Sequence, residues 1–310
     1  MNQHLVSTHN LPTWRYKSPL RYPGGKSSLC NFVKAIFRAN DLLGGVYAEP
    51  YAGGASVALA LLYEGYASKV YINDADPAVY AFWQATLNDT DALCRHIRDT
   101  RPTVKEWERQ RAIYLRSSEV SPLSLAFAAF FLNRTNRSGI IASAGMIGGR
   151  AQRGRWTIDA RYNRTELAAR VERIGSYRDR MTVSGEDAAV FLKRLAPKLR
   201  VGSLIYLDPP YFVKGERRLY ANYYESKDHA AIADALFKVK QNWIVSYDRV
   251  AAIRALYQAY RSLSYSLRYS ASTTKAGDEL MFFSHNLIIP KDCRPSAAAY
   301  KRGTVTRAAA

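Results

Sequence analysis

The residues with the clearest chemical potential are Asp208-Pro209-Pro210-Tyr211. They follow the apolar run 202–207, so they fall at the carboxyl end of a strand, the edge where open α/β sheets bind ligands. The two prolines remove backbone donors and stiffen the turn. Asp208 offers acceptors, a proline carbonyl offers another, and Tyr211 offers a flat stacking face. An exocyclic amino group has two N–H donors on a planar base, and this set of groups suits it. A Pro-rich turn bearing a surface aspartate is the plainer reading of the same four residues.

Further motifs lie earlier in the chain. In Tyr47–Ser56 (YAEPYAGGAS) a strand ends at Glu49, Gly53 and Gly54 make a turn, and a helix begins. Glycines let a ligand approach the backbone, and a helix N-terminus favours negative charge; tight helix–strand packing explains the same glycines. Asp74, in YINDAD, ends the next strand and is placed to accept ribose hydroxyls. Asp76 is the alternative, although an aspartate before Pro77 also reads as a helix cap. Arg21–Ser27 (RYPGGKS) resembles a phosphate loop, but the Walker spacing needs glycine where Leu20 stands. Lys26 there suits a carboxylate, and Tyr22 suits packing against an amino-acid moiety.

Charge points to a polyanion. Lys and Arg number 45 against 26 acidic residues, a net charge of +19, and phosphate neutralisation is the main driver of nucleic-acid binding. Residues 131–180 hold arginine and no lysine, which favours forked contacts with phosphate and guanine edges. Arg134, Arg137, Arg150, Arg153 and Arg155 are the expected DNA contacts. Arg170–Arg180, with Glu166 and Glu172 at helical spacing, read as a solvated helix face. Cysteine and histidine spacing gives no metal site, and no stretch approaches the length of a membrane span. No obligate protein partner is evident. A reduced, cytoplasmic setting is expected.

These groups need a scaffold. Val46–Glu49, Lys69–Asn73, Met181–Ser184, Ser203–Asp208 and Trp243–Tyr247 read as strands, with Leu263–Tyr269 and Glu279–Asn286 as a final pair. Ala55–Tyr63 reads as a buried helix stopped at Gly65. The alternation implies an α/β parallel sheet. It breaks over 85–164, a mostly helical stretch in which Ser121 caps and Pro122 opens a helix. The expected organisation is a loose N-terminus (1–17), a discontinuous catalytic unit (18–84 and 165–290), an insert (85–164) and a basic tail (291–310). Lys214–Asp228 interleaves basic and aromatic residues and reads as a loop.

In their order, SPLRYPGGK, AEPYAGGASV, YINDAD, FFLNRTNRSG, WTIDARY and SLIYLDPPYF resemble the Dam-like (alpha-group) adenine-specific DNA methyltransferases. The resemblance covers about residues 18–290. It implies a Rossmann-like S-adenosylmethionine-dependent methyltransferase sheet, with 85–164 as the target-recognition DNA-binding domain. Tyr22, Lys26, Asp74 and Asp208 are then the implied cofactor contacts, with Glu49, Gly53 and Asp187 beside them. Asp208, Pro209, Pro210 and Tyr211 are the implied catalytic motif, acting on adenine N6 in double-stranded DNA with the target base flipped out. The family's usual aromatic-Asn-Gly triplet is here Arg137-Ser138-Gly139, so Dam's own target is not carried over. Cytosine N4 methylation and a non-catalytic DNA-binding module are the alternatives.

Overall fold

The β-branched and aromatic runs do form strands, because their alternate residues find apolar partners on both sides. The computed structural model describes residues 18–21, 29–210, 212, 225–269, 275–291, 293 and 295. Its strands are β1 (Gly45–Glu49), β2 (Ala67–Asn73), β3 (Met181–Ser184), β4 (Leu204–Leu207), β5 (Asn242–Asp248), β6 (Arg261–Tyr269) and β7 (Lys275–Phe283). They form one sheet in the order β3-β2-β1-β4-β5-β7-β6. β1 to β5 run parallel; β7 is antiparallel to both β5 and β6. This is the Rossmann-like doubly wound arrangement, with its switch point between β1 and β4. The expected parallel sheet is therefore mixed at one edge, since a hairpin supplies the last two strands.

The helices are α1 (Cys30–Ala39), α2 (Ser56–Tyr63), α3 (Pro77–Asn88), α4 (Thr90–Asp99), α5 (Val104–Leu115), α6 (Pro122–Thr135), α7 (Arg164–Gly175), α8 (Ala188–Leu195), α9 (Ser226–Phe237) and α10 (Ala251–Leu256). Strand periodicity of two sends successive side chains to opposite faces. Tyr47, Val70, Ile72, Leu204 and Ile244 join one apolar cluster with α1–α4, α6 and α7. Ala48, Ile205, Leu207, Trp243 and Val245 join the other with α8, α9 and α10. Both faces are covered, which accounts for the nearly unbroken apolar composition of β4.

Local signals account for the boundaries. Ser121 Oγ accepts the Ser124 N–H, with Pro122 at the first helical position. Asp76 Oδ1 accepts the Ala78 N–H and opens α3. Gly65 takes φ +75° just past α2, where a Cβ would be strained. The stretch 85–164 shares the first apolar cluster: Leu93, Ile97, Phe127, Phe130 and Phe131 lie buried with Tyr47 and Ile72. Beyond α6, residues 136–163 carry no long element. Lys214–Asp228 falls mostly outside the described residues, and its last residues already belong to α9.

Candidate active site

Register brings the proposed polar groups to one edge. Ala48 lies opposite Ile205, and Glu49 opposite Ile72. Continued past the strand ends, that register sets Asp208 and Asp74 level with Tyr51. One strand separates them, a spacing of about 10 Å.

Asp74 is half-buried and holds two loops. Its Oδ2 accepts the Gly53 N–H at 2.8 Å and its Oδ1 the Asp76 N–H at 3.0 Å. Burial raises its pKa to about 7, only partly opposed by those donors. A carboxylate has roughly four lone-pair sites, so each oxygen keeps room for a hydroxyl beside its backbone donor. Gly53 has φ +45°, and its carbonyl accepts the Trp83 indole N–H at 2.9 Å, which fixes the turn from the other side.

Glu49 is buried at the end of β1. It accepts the Tyr47 hydroxyl at 2.8 Å, and the Ala58 N–H in the first turn of α2 partly offsets the effect of burial on its charge. Burial raises its pKa to about 8, and the neighbouring Asp208 charge adds to the rise. Burial thus favours the neutral form of Glu49 beside Asp208. Asp208 itself accepts the Ser246 hydroxyl through Oδ1 at 2.8 Å. Pro209 and Pro210 follow it without a cis peptide bond.

Asp187 caps α8, accepting the Ala189 and Val190 N–H groups through Oδ1. Its expected place beside the cofactor shares that carboxylate with a structural duty. Tyr22, Lys26 and Tyr211 lie outside the described residues.

Several organising residues lie inside or beside the motifs without being singled out by them. Asn73 donates to Pro50 O (3.0 Å) and Glu186 O (2.9 Å), and accepts from Glu186 N and Ser184 Oγ. It ties the ends of β1, β2 and β3 together. The same carboxyl-edge argument that selects Asp208 also selects Ser246 and Asp248 on β5, had it been applied to that strand.

The arginines divide in two. Arg134, expected on DNA, is buried: its Nε and Nη2 donate to Arg161 O at 2.8 and 2.6 Å. Burial, then Arg170 and Arg21, lower its pKa to about 9. Its charge is committed to backbone carbonyls, so the reading of Arg134 as a DNA contact gives way to one of packing. Arg170, read as solvated, is also buried and donates to Ser18 O. Arg137, Arg150, Arg153 and Arg155 are exposed. The segment 147–158 that presents the last of these is braced by Gln152, which bonds Ile147 O, Gly149 O and the Ile158 N–H. At its tip Trp156 is 55% exposed, with the Arg155 and Arg161 guanidinia over its ring.

Asn133, within FFLNRTNRSG, bonds both Arg21 N and Arg21 O at 2.7 Å. Gly139 packs so closely that a Cβ there would lie 2.6 Å from Arg21 O. This motif therefore holds the chain where it enters the Tyr22–Lys26 segment, a role its sequence does not announce.

A doubly wound sheet with a glycine turn after β1, a carboxylate after β2 and Asp-Pro-Pro after β4 is the arrangement of an S-adenosylmethionine-dependent methyltransferase. Residues 22–271 match the family model for the D12 class N6 adenine-specific DNA methyltransferases, and the chain belongs to that family. It is an adenine-specific DNA methyltransferase with S-adenosylmethionine as methyl donor. A search of curated proteins finds no match. Among solved structures it is similar to a SAM-dependent methyltransferase from Agrobacterium tumefaciens, at 9% identity and TM-score 0.37, covering 83% of this chain and 62% of that one. It is also similar to the rRNA methyltransferase aviRa from Streptomyces viridochromogenes, at 14% identity and TM-score 0.35, covering 91% and 93%.

Proposed function

We propose that this methyltransferase acts at a specific site in double-stranded DNA, on an adenine extruded from the helix. The observation that carries the reading is the placement of Asp208, held by Ser246, across β1 from Asp74 at the switch point. When bound, S-adenosylmethionine supplies an electrophilic methyl group on a sulfonium. Asp74 accepts the ribose hydroxyls, while Gly53 leaves space beside its backbone. Tyr22 and Lys26 receive the amino-acid end, and Asp187 lies near the base. Asp208 and the Pro209 carbonyl accept the two N6 hydrogens, which directs the nitrogen lone pair at the methyl carbon. Tyr211 stacks on the purine. With the cofactor bound, N6 would bond to the methyl carbon as the bond from that carbon to the sulfonium sulfur breaks, the thioether leaving and one N6 proton passing by way of Asp208 to solvent. Such a direct displacement depends on positioning and needs no covalent enzyme intermediate.

Extrusion costs a few kcal/mol, and stacking on one aromatic ring returns about 1–3 kcal/mol. Within the insert (85–164), Arg137, Arg150, Arg153 and Arg155, with Trp156 among them, face the duplex. Arg150 now pairs with Glu108 at 2.8 Å, an exposed pair weak enough to exchange for phosphate. Among the described residues no helix is long and apolar enough to cross a membrane; a cytoplasmic enzyme of a bacterial nucleoid or a phage is the setting we infer.

The test uses duplex DNA carrying 2-aminopurine at the methylated adenine, once that site is mapped. Addition of enzyme and cofactor is expected to raise its fluorescence several-fold as the base unstacks. Unchanged fluorescence alongside full methylation of the unlabelled duplex would refute extrusion.

A further inference from the structure

We propose that Ser246 and Asp248, alternate residues at the carboxyl end of β5, are positioning residues that fasten the catalytic segment 208–212 at both ends. The inference rests on the reading of Asp208 as the acceptor of the target amino group.

The first fastening follows from register. Leu207 pairs with Val245, so the next residues, Asp208 and Ser246, face each other. Ser246 Oγ is 2.8 Å from Asp208 Oδ1 and 2.9 Å from the Tyr206 hydroxyl. A hydroxyl has one proton to give. A carboxylate can only accept it, so Ser246 donates to Asp208 and Tyr206 donates to Ser246. The chain Tyr206–Ser246–Asp208 fixes the rotation of the carboxylate, and Ser246 is fully buried.

The second fastening lies just beyond Tyr211. The Phe212 N–H donates to Asp248 Oδ1 at 3.0 Å. The Phe212 ring packs on His229, centroids 5.1 Å apart, and His229 Nδ1 lies 3.3 Å from the Tyr247 hydroxyl. Between the fastenings sit Pro209 and Pro210, whose φ angles are fixed by their rings. Asp208 and Phe212 are both tied to β5, and the ring-fixed φ angles of Pro209 and Pro210 restrict the chain that follows Asp208. The Asp208 carboxylate and the Pro209 carbonyl are thereby held at a set separation, as two acceptors for one amino group require.

Loss of either tie is expected to impair the chemical step and spare binding. Single-turnover methylation of unmethylated plasmid DNA, with labelled S-adenosylmethionine, compares full-length Ser246→Ala, Asp248→Ala and Asp248→Asn with the parent protein. An ångström of misplacement lowers rates by about 10²-fold, and a loss of about that size is expected for Ser246→Ala and Asp248→Ala. Cofactor affinity, measured by calorimetry, is expected to change by no more than about threefold, well inside that loss. Asp248→Asn keeps an acceptor for the Phe212 N–H and is expected to restore most of the rate.

Parent-like rates in either alanine variant would overturn the proposal. So would Asp248→Asn as slow as Asp248→Ala, or a rate loss matched by an equal loss of cofactor binding. If Asp208→Ala is inactive while Ser246→Ala and Asp248→Ala are unaffected, the fastening fails and the role of Asp208 stands. If Asp208→Ala is active, the underlying reading fails.

Discussion

Glu49 is a buried acid whose pKa is raised from 4.5 to about 8, and Asp74 is raised to about 7. Between the unfolded and folded pKa values the native state binds more protons than the unfolded chain. Stability therefore falls as pH climbs from the unfolded values near 4–4.5 towards the folded values. The melting temperature is expected to drop by at least about 2 °C between pH 6 and pH 9. Glu49→Gln keeps the shape without the charge and is expected to flatten that drop; an unchanged slope in thermal melts at the two pH values would contradict the assignment. Tyr211→Ala removes the proposed stacking partner. Its methylation rate is expected to fall by about 1–3 kcal/mol of lost stacking, roughly 5- to 150-fold, while binding to non-specific DNA is unchanged. A rate equal to the parent's would remove Tyr211 from the mechanism.

The junction between α6 and the segment before Tyr22 depends on one small residue. Gly139 has φ +78°, and its missing side chain makes room for the Arg21 backbone. Gly139→Ala forces strain and a clash together. It is expected to destabilise the protein by about 1–3 kcal/mol and to weaken S-adenosylmethionine binding, since the disturbed chain leads directly into Tyr22 and Lys26. Denaturant unfolding and calorimetry read the two effects; a loss of stability with cofactor affinity intact would separate this junction from the site. Elements of this kind were only partly legible in the sequence. The strands of the parallel core and the Ser121-Pro122 helix start follow from local composition, which is decided within a few residues. Asn133 and Gly139 act on Arg21 from far along the chain, and local pattern carries no trace of that. Asp76 could be read either way, and the structure gives it the helix cap.

Across the whole molecule, the charge of +19 is spent in two different ways. Arg134 and Arg170 are interior arginines bonded to carbonyls, whereas Arg153 and Arg155 stand exposed, Arg155 over the Trp156 ring. Composition counts all of them alike; only packing separates them. Arg153→Ala and Arg155→Ala are each expected to reduce the slope of log K for DNA against log salt by about 0.9. Arg134→Ala is expected to leave that slope unchanged and to lower stability by about 1–3 kcal/mol, through the unpaired buried carbonyls it exposes. An equal slope change in all three variants would return Arg134 to the DNA surface. The carboxyl edge of the sheet, by contrast, was legible from motif order and strand ends, because topology fixes where such edges meet. The measurement that bears most directly on that edge is single-turnover methylation by Asp208→Ala, with DNA and cofactor affinity determined on the same preparation. N6-methyladenine formation is expected to fall by at least about 10²-fold with both affinities largely kept; near-parental formation of that product would contradict the assignment of Asp208.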